Sequence, residues 1–191
     1  MGRSPLYHAT MTTRVIVAPI AAKSENSISM DSIPNKHVQL RIKHATLLHD
    51  LSPCPRGKVG AVIFDPTTYA IIADGYNGPP RKGGTLCGGD VCDRTARGIP
   101  SGSSCEVGCH HAEMNALLNA LRLGHSTLGA SIIVTCEPCL MCAKMLHHAG
   151  IGRVLYLSKQ YGSLEGITYL QQHLSKEKVI CVGSTQEEQK R

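Results

Sequence analysis

The stretch Cys109-His110-His111-Ala112-Glu113-Met114-Asn115, read with Pro138-Cys139-Leu140-Met141-Cys142 downstream, decides how this chain is understood. The first piece contains His-x-Glu, the second Pro-Cys-x-x-Cys, and each opens a segment with helical spacing. One imidazole and two thiolates, from His111, Cys139 and Cys142, make three protein ligands for a tetrahedral zinc ion, whose fourth position stays open to water. A purely structural zinc is closed by four ligands, so three with an opening is the catalytic pattern. Glu113 follows His111 closely enough to share that water without binding the metal, to take its proton and to hand it to a leaving amine. A core histidine beside a redox dithiol is the plainer alternative. It does not account for both halves standing in order at two helix starts.

Bulk composition agrees with a metal-dependent chain acting on an anion. The 191 residues suit one domain with an extension. Hydrophobic residues make up 42% and aromatics only 4%, with no Trp, so Leu, Ile, Val and Ala must fill the core. The formal charge of +6 and pI near 8.9 suit a nucleotide. No Lys/Arg run is interleaved with aromatics, so stable nucleic-acid binding is not expected. The nine cysteines come without a clear signal peptide, and no apolar run is long enough to span a bilayer. A cytoplasmic, metal-binding protein is the expectation. The cysteines also outnumber what one catalytic zinc needs.

Along the chain, residues 1–33 read as a disordered extension, rich in Ser, Thr and Ala and without an acid before Glu25. An organellar targeting peptide is the alternative for them. Residues 34–183 are the expected domain, interrupted by a Cys-rich insertion over 81–110, and 184–191 are a polar tail. Within the domain the spacing predicts a helix from His37 to His49 and strands at Val59–Phe64 and Ala70–Ala73, antiparallel because their connection is short. Gly75-Tyr76-Asn77-Gly78-Pro79-Pro80 reads as a shaped turn. A helix over Ala112–Leu123 is closed by Gly124. The strand Ser131–Thr135 is followed by a helix whose first turn holds Pro138. Then come a strand at Arg153–Leu157, parallel to its predecessor, a helix at Leu164–Leu174 and a last strand at Val179–Val182.

The His-x-Glu and Pro-Cys-x-x-Cys pair resembles the signature of the zinc-dependent nucleoside and nucleotide deaminases. Val59–Ile63 followed by Gly75-Tyr76-Asn77-Gly78 is similar to the deoxycytidylate deaminase branch of that family. The resemblance covers about Val38 to Val182. It implies an α/β fold, the three-layer α/β/α cytidine-deaminase-like arrangement with a mixed five-stranded sheet. It implies hydrolytic deamination of dCMP to dUMP with release of ammonia, feeding thymidylate synthesis. In that reading His111, Cys139 and Cys142 hold the catalytic Zn²⁺, Glu113 is the proton shuttle, the backbone at Ala112 meets the ring carbonyl and Asn77 meets the sugar. Asn115 falls in the family's His-Ala-Glu-x-Asn-Ala pattern, with a structural bond to a neighbouring loop as its alternative. Tyr161 stands where some relatives have a Tyr near the substrate phosphate.

Four basic residues near the expected pocket, Arg56, Lys58, Arg81 and Lys82, are phosphate candidates, and a guanidinium fork is the better geometric match. Phage and prokaryotic relatives have a second, structural zinc. Its positions match Cys54, Cys87, Cys105 and Cys109, with Cys92 as a substitute, and free buried thiols are the alternative. The resemblance also implies a homo-oligomer, a hexamer in relatives, with dCTP and dTTP as effectors. Rival readings are a deaminase acting on dCTP, a free nucleoside, a riboflavin precursor or a base in RNA. A different class of rival is a competence-type, zinc-dependent nucleic-acid-binding module.

Overall fold

A computed structural model describes residues 35–80, 92–100, 103, 105, 107–158 and 164–182. Its centre is a five-stranded sheet. The strands are β1 (Gly60–Phe64), β2 (Ile71–Tyr76), β3 (Ser131–Val134), β4 (Arg153–Tyr156) and β5 (Val179–Cys181), in spatial order β2-β1-β3-β4-β5. β1 is antiparallel to both β2 and β3, whereas β3, β4 and β5 run parallel. The sheet is therefore mixed, as expected. The helices are α1 (Asn35–Leu51), α2 (Asp93–Ala96), α3 (Ala112–Arg122), α4 (Leu140–His148) and α5 (Glu165–Leu174).

The layers follow from the strand sequences. β1 is an unbroken apolar run and β3 is apolar after Ser131, and both are buried at every position, as strands covered on both faces must be. On one face Ala61, Ile63, Ile132, Val134 and Val154 pack against Ala116 of α3, Leu146 of α4 and Leu170 of α5. On the other, Val62, Phe64, Ile133 and Leu155 meet Ala45 and Leu48 of α1. Alternation along each strand thus sends odd and even residues to separate cores. Each fully buried Ile, Leu, Val or Phe contributes about 1.5–3 kcal/mol relative to exposure.

The structure extends or trims several sequence boundaries. α1 runs two residues further at each end than predicted. β2 continues to Tyr76, so Gly75 and Tyr76 belong to a strand and the turn begins at Asn77. Gly75 fits there because a Cβ would stand 2.5 Å from the Ala116 nitrogen and 2.8 Å from the Ala112 oxygen. Only a residue without a side chain lets α3 lie this close to the sheet. α4 starts at Leu140, not at Pro138, because Cys139 takes the N-cap in extended conformation. α2 is a single turn inside the insertion that periodicity did not signal. Among the described residues no helix is long and apolar enough to cross a membrane. The expectations for residues 1–33, for 184–191, and for Arg81, Lys82, Cys87 and Tyr161 lie outside the described residues.

Candidate functional site

Two helix starts build the site. His111 is the N-cap of α3 (φ −72°, ψ 160°) and Cys139 the N-cap of α4 (φ −68°, ψ 166°). Neither side chain bonds to its own helix, which leaves the imidazole and the thiol available to each other. Cys142 sits in the first turn of α4, on the side facing His111. The His111 Nδ1 atom lies 3.5 Å from Cys139 Sγ and 3.4 Å from Cys142 Sγ. A tetrahedral zinc with ordinary Zn–N and Zn–S bonds holds such a pair of donors about 3.6 Å apart. The three donor atoms lie within 4.8 Å of one another, and among the described residues no other His, Cys, Asp or Glu trio meets in this way. Both distance and donor chemistry therefore fit the metal. Burial rises from His111 through Cys139 to Cys142, so the cluster is open on the His111 side.

The electrostatics of the cluster suit a cation at its centre. Cys139 is pulled down to about 4, chiefly by the hydrogen bond from the Cys142 thiol and also by His111. His111 is raised, first by its bond to Cys139, with Glu113 adding to the effect. Cys142 is pushed well up because its proton is held against Cys139 and because it is buried. Two helix N-termini aim their dipoles at the same place, which favours thiolate. Glu113 is 3% exposed, and burial pushes its carboxyl above the ordinary range, opposed mainly by the charge of His111. Cys136 is likewise pushed up by burial and lies outside the trio.

The surroundings hold these groups rigidly. A Cβ on Gly166 of α5 would stand 2.1 Å from the Pro138 oxygen, so α5 presses directly on the turn that carries Cys139. Gly78 and His110 exchange backbone hydrogen bonds of 3.1 Å, tying the turn after β2 to the residue before His111. Asn115 Nδ2 donates to the Tyr76 oxygen at 2.8 Å and its Oδ1 lies 3.2 Å from His110 Nδ1. One turn on, Asn119 donates to the Asp74 oxygen. Side chains of α3 thus satisfy the outward carbonyls of edge strand β2.

Several substrate candidates are engaged elsewhere. Arg56 donates to the Ile99 oxygen at 2.8 Å, and Lys58 to the Asp50 oxygen at 3.2 Å, at the end of α1. Asn77 accepts from the Val59 N–H at 2.7 Å and donates to the Gly57 oxygen at 2.9 Å, which keeps the entry to β1 in place. Each end of that amide retains one bonding position. Ala112 is fully buried in the first turn of α3, beside His111. Of the second cysteine set, Cys54, Cys92 and Cys105 carry free thiols and do not converge, and the Cys105 thiol donates to the Val107 oxygen. Cys109 is disulfide-bonded, so it would have to be reduced before its sulfur could serve a metal. Arg94, which no sequence pattern singled out, lays its aliphatic stem against Gly108, three residues before His111. Its signal was hidden in a Gly- and Cys-rich segment without periodicity.

Comparison with known proteins sets this geometry beside relatives. Residues 34–158 match the cytidine and deoxycytidylate deaminase zinc-binding region. The chain is similar to ComE operon protein 2 of Bacillus subtilis, at 41% identity over 109 residues, 55% of this chain and 50% of that protein. It is also similar to the deoxycytidylate deaminase of Mycobacterium phage D29, at 37% identity over 118 residues, 59% of this chain and 87% of that protein. The chain thus spans half of the first relative and most of the second. Among solved structures it resembles a dCMP deaminase from the cyanophage S-TIM5 in complex with dCMP and dUMP. That likeness has a TM-score of 0.62 and 29% identity, over 79% of this chain and 98% of the other.

Proposed function

This chain belongs to the cytidine and deoxycytidylate deaminase zinc-binding family, and from that premise we propose that it hydrolyses dCMP to dUMP and ammonia. The observation that carries the reading is the meeting of His111 Nδ1 with the Cys139 and Cys142 sulfurs beside the buried Glu113. The deoxycytidylate deaminases among its relatives, and the S-TIM5 structure with dCMP and dUMP, support the choice of substrate.

In this mechanism His111, Cys139 and Cys142 would hold zinc, which supplies Lewis-acid activation of water. Glu113 takes one proton from the attacking water and gives it to the ring nitrogen N3, then takes the second from the hydroxyl now on C4 and gives it to the departing amine. C4 gains oxygen and loses the amine nitrogen, so cytosine becomes uracil and the balance closes on ammonia. A carboxyl whose proton affinity is raised by burial suits both directions of this transfer, because general acid–base catalysis works best when the pKa lies near the working pH. The backbone at Ala112 would meet the ring carbonyl, and Asn77 would offer its remaining bonding positions to the sugar.

The oligomer and a second metal belong to the same proposal. Leu40, Leu47 and Leu51 are exposed along one face of α1, an apolar stripe suited to a second copy of the chain. A second zinc among the cysteines of 54–109 would raise the metal content to two ions per chain. dCTP and dTTP as effectors also rest on the family resemblance. Ammonia release from dCMP, dCTP, deoxycytidine and cytidine, with metal content assayed in parallel, tests the assignment. Rapid turnover of dCMP is expected. Glu113→Gln should keep fold and metal and lose about 10²–10⁴ in kcat. Stable DNA binding without ammonia release would instead favour the nucleic-acid-binding module.

A further inference from the structure

α4 leads from β3 to β4 and α5 from β4 to β5, and because these strands are parallel the two helices run in one direction. Their starts touch at Gly166 and Pro138, beside the metal-binding cluster. At their far ends His147 of α4 meets Tyr169 and His173 of α5. The Tyr169 ring stacks on His173 with centroids 4.2 Å apart, and the two imidazoles lie 4.7 Å apart at 48°. His147 stands eight positions after Cys139, about 12 Å along the helix axis, so this cluster is separate from the zinc ligands.

Both rings are anchored through Nδ1, and by the same residue. His173 Nδ1 donates to the Tyr169 carbonyl oxygen at 2.8 Å, a bond that fixes the ring proton on Nδ1. His147 Nδ1 lies 3.0 Å from the Tyr169 hydroxyl, which can accept from it in the same way. An imidazole with its proton on Nδ1 carries its lone pair on Nε2. Proteins orient metal-ligating histidines by this means, giving the other ring nitrogen a fixed acceptor. Among the described residues the hydrogen bonds of both rings are made through Nδ1, which leaves each Nε2 to an outside partner. His147 is half-buried and His173 exposed, so ions in solvent reach the pair. Each histidine also stands in the last turn of its helix, where the dipole favours positive charge.

We propose that Nε2 of His147 and Nε2 of His173 bind one divalent transition-metal ion, with water completing its coordination shell. Imidazole suits zinc, cobalt, nickel and copper, and the site does not depend on the deaminase assignment. The experiment adds Co²⁺ to the zinc-saturated full chain and follows uptake by equilibrium dialysis and by the absorption spectrum. Wild type should take up one Co²⁺ per chain beyond its zinc, without the sulfur-to-cobalt charge-transfer band that a cysteine site gives. Its thermal midpoint should rise, because the ion joins α4 to α5 only in the folded state. His173→Gln should abolish both effects. Tyr169→Phe keeps the ring stack and the carbonyl but loses the hydroxyl that orients His147, and should weaken Co²⁺ binding about 10- to 100-fold. All three proteins should share one circular dichroism spectrum, so that a lost ion reads as a lost ligand. No uptake by wild type overturns the proposal. So does uptake that carries the sulfur band or persists in His173→Gln, which would put the ion on the cysteines or on another histidine. Unchanged affinity in Tyr169→Phe overturns the anchoring through Nδ1 on which the site is built.

Discussion

Asn77 shows how one residue can serve the chain as well as a ligand. Its side chain bonds the Val59 N–H and the Gly57 oxygen, and its own carbonyl accepts a 2.7 Å bond from Ser52 Oγ. It is 9% exposed, so removing the amide strands buried backbone groups. Asn77→Ala should therefore cost about 1–3 kcal/mol of stability as well as substrate affinity, read as a lower midpoint in denaturant. A variant with wild-type stability would show that these bonds are dispensable. At this scale the sequence was informative where chemistry is rare. A His, a Glu and two Cys at set spacing suit few roles besides metal-assisted proton transfer, whereas Asn, Arg and Lys suit many. Arg56, Lys58 and Asn115, expected as substrate contacts, each also hold backbone in the fold. Hydrogen bonds to carbonyls in distant segments leave no mark in local pattern.

At the scale of elements, the site is the space between the starts of α3 and α4, and what sets that space is close packing. Gly166 lets α5 touch the Pro138–Cys139 turn. In Gly166→Ala the added methyl would meet the Pro138 oxygen, a backbone atom that can yield only by moving Cys139 with it. The expected result is weaker metal retention on dialysis against a chelator, out of proportion to any change in secondary structure by circular dichroism. Equal metal retention would show that the turn absorbs the methyl. Helix and strand types were legible from apolar spacing at every element that packs on the sheet. Boundaries were less so. Tyr76 stayed in the strand because its carbonyl finds Asn115, and α4 began after Cys139 because that residue adopts an extended backbone. Both outcomes depend on partners from another part of the chain.

For the whole molecule, metal and protons should be linked. Without metal, the bond to Cys139 makes His111 hold its ring proton more firmly than usual, Cys142 holds its thiol proton more firmly still, and Cys139 is pulled down to about 4. A metal ion must displace the protons of the first two, so apparent affinity should rise with pH and fall as acid refills them. Competition with a chelator of known affinity across neutral pH measures that slope. A slope of zero would mean that both ligands are already deprotonated in the metal-free protein. Removing the metal should also lower the thermal midpoint, because a ligand bound only by the folded state stabilises that state. The sequence by itself determined the ligand trio, the acid beside it and the order of strands and helices, since each of these is written in residue type and local period. It also determined that β1 and β2 pair antiparallel and that β4 runs parallel to β3, because connection length limits strand direction. Only the tertiary structure decided that α1 covers one face among the described residues, that the edge of β2 is sealed by α3, and that Arg56 reaches the Ile99 carbonyl. Those facts arise from contacts between distant segments, and a long-range contact is selected by the packing of the whole chain, not by the residues on either side of it.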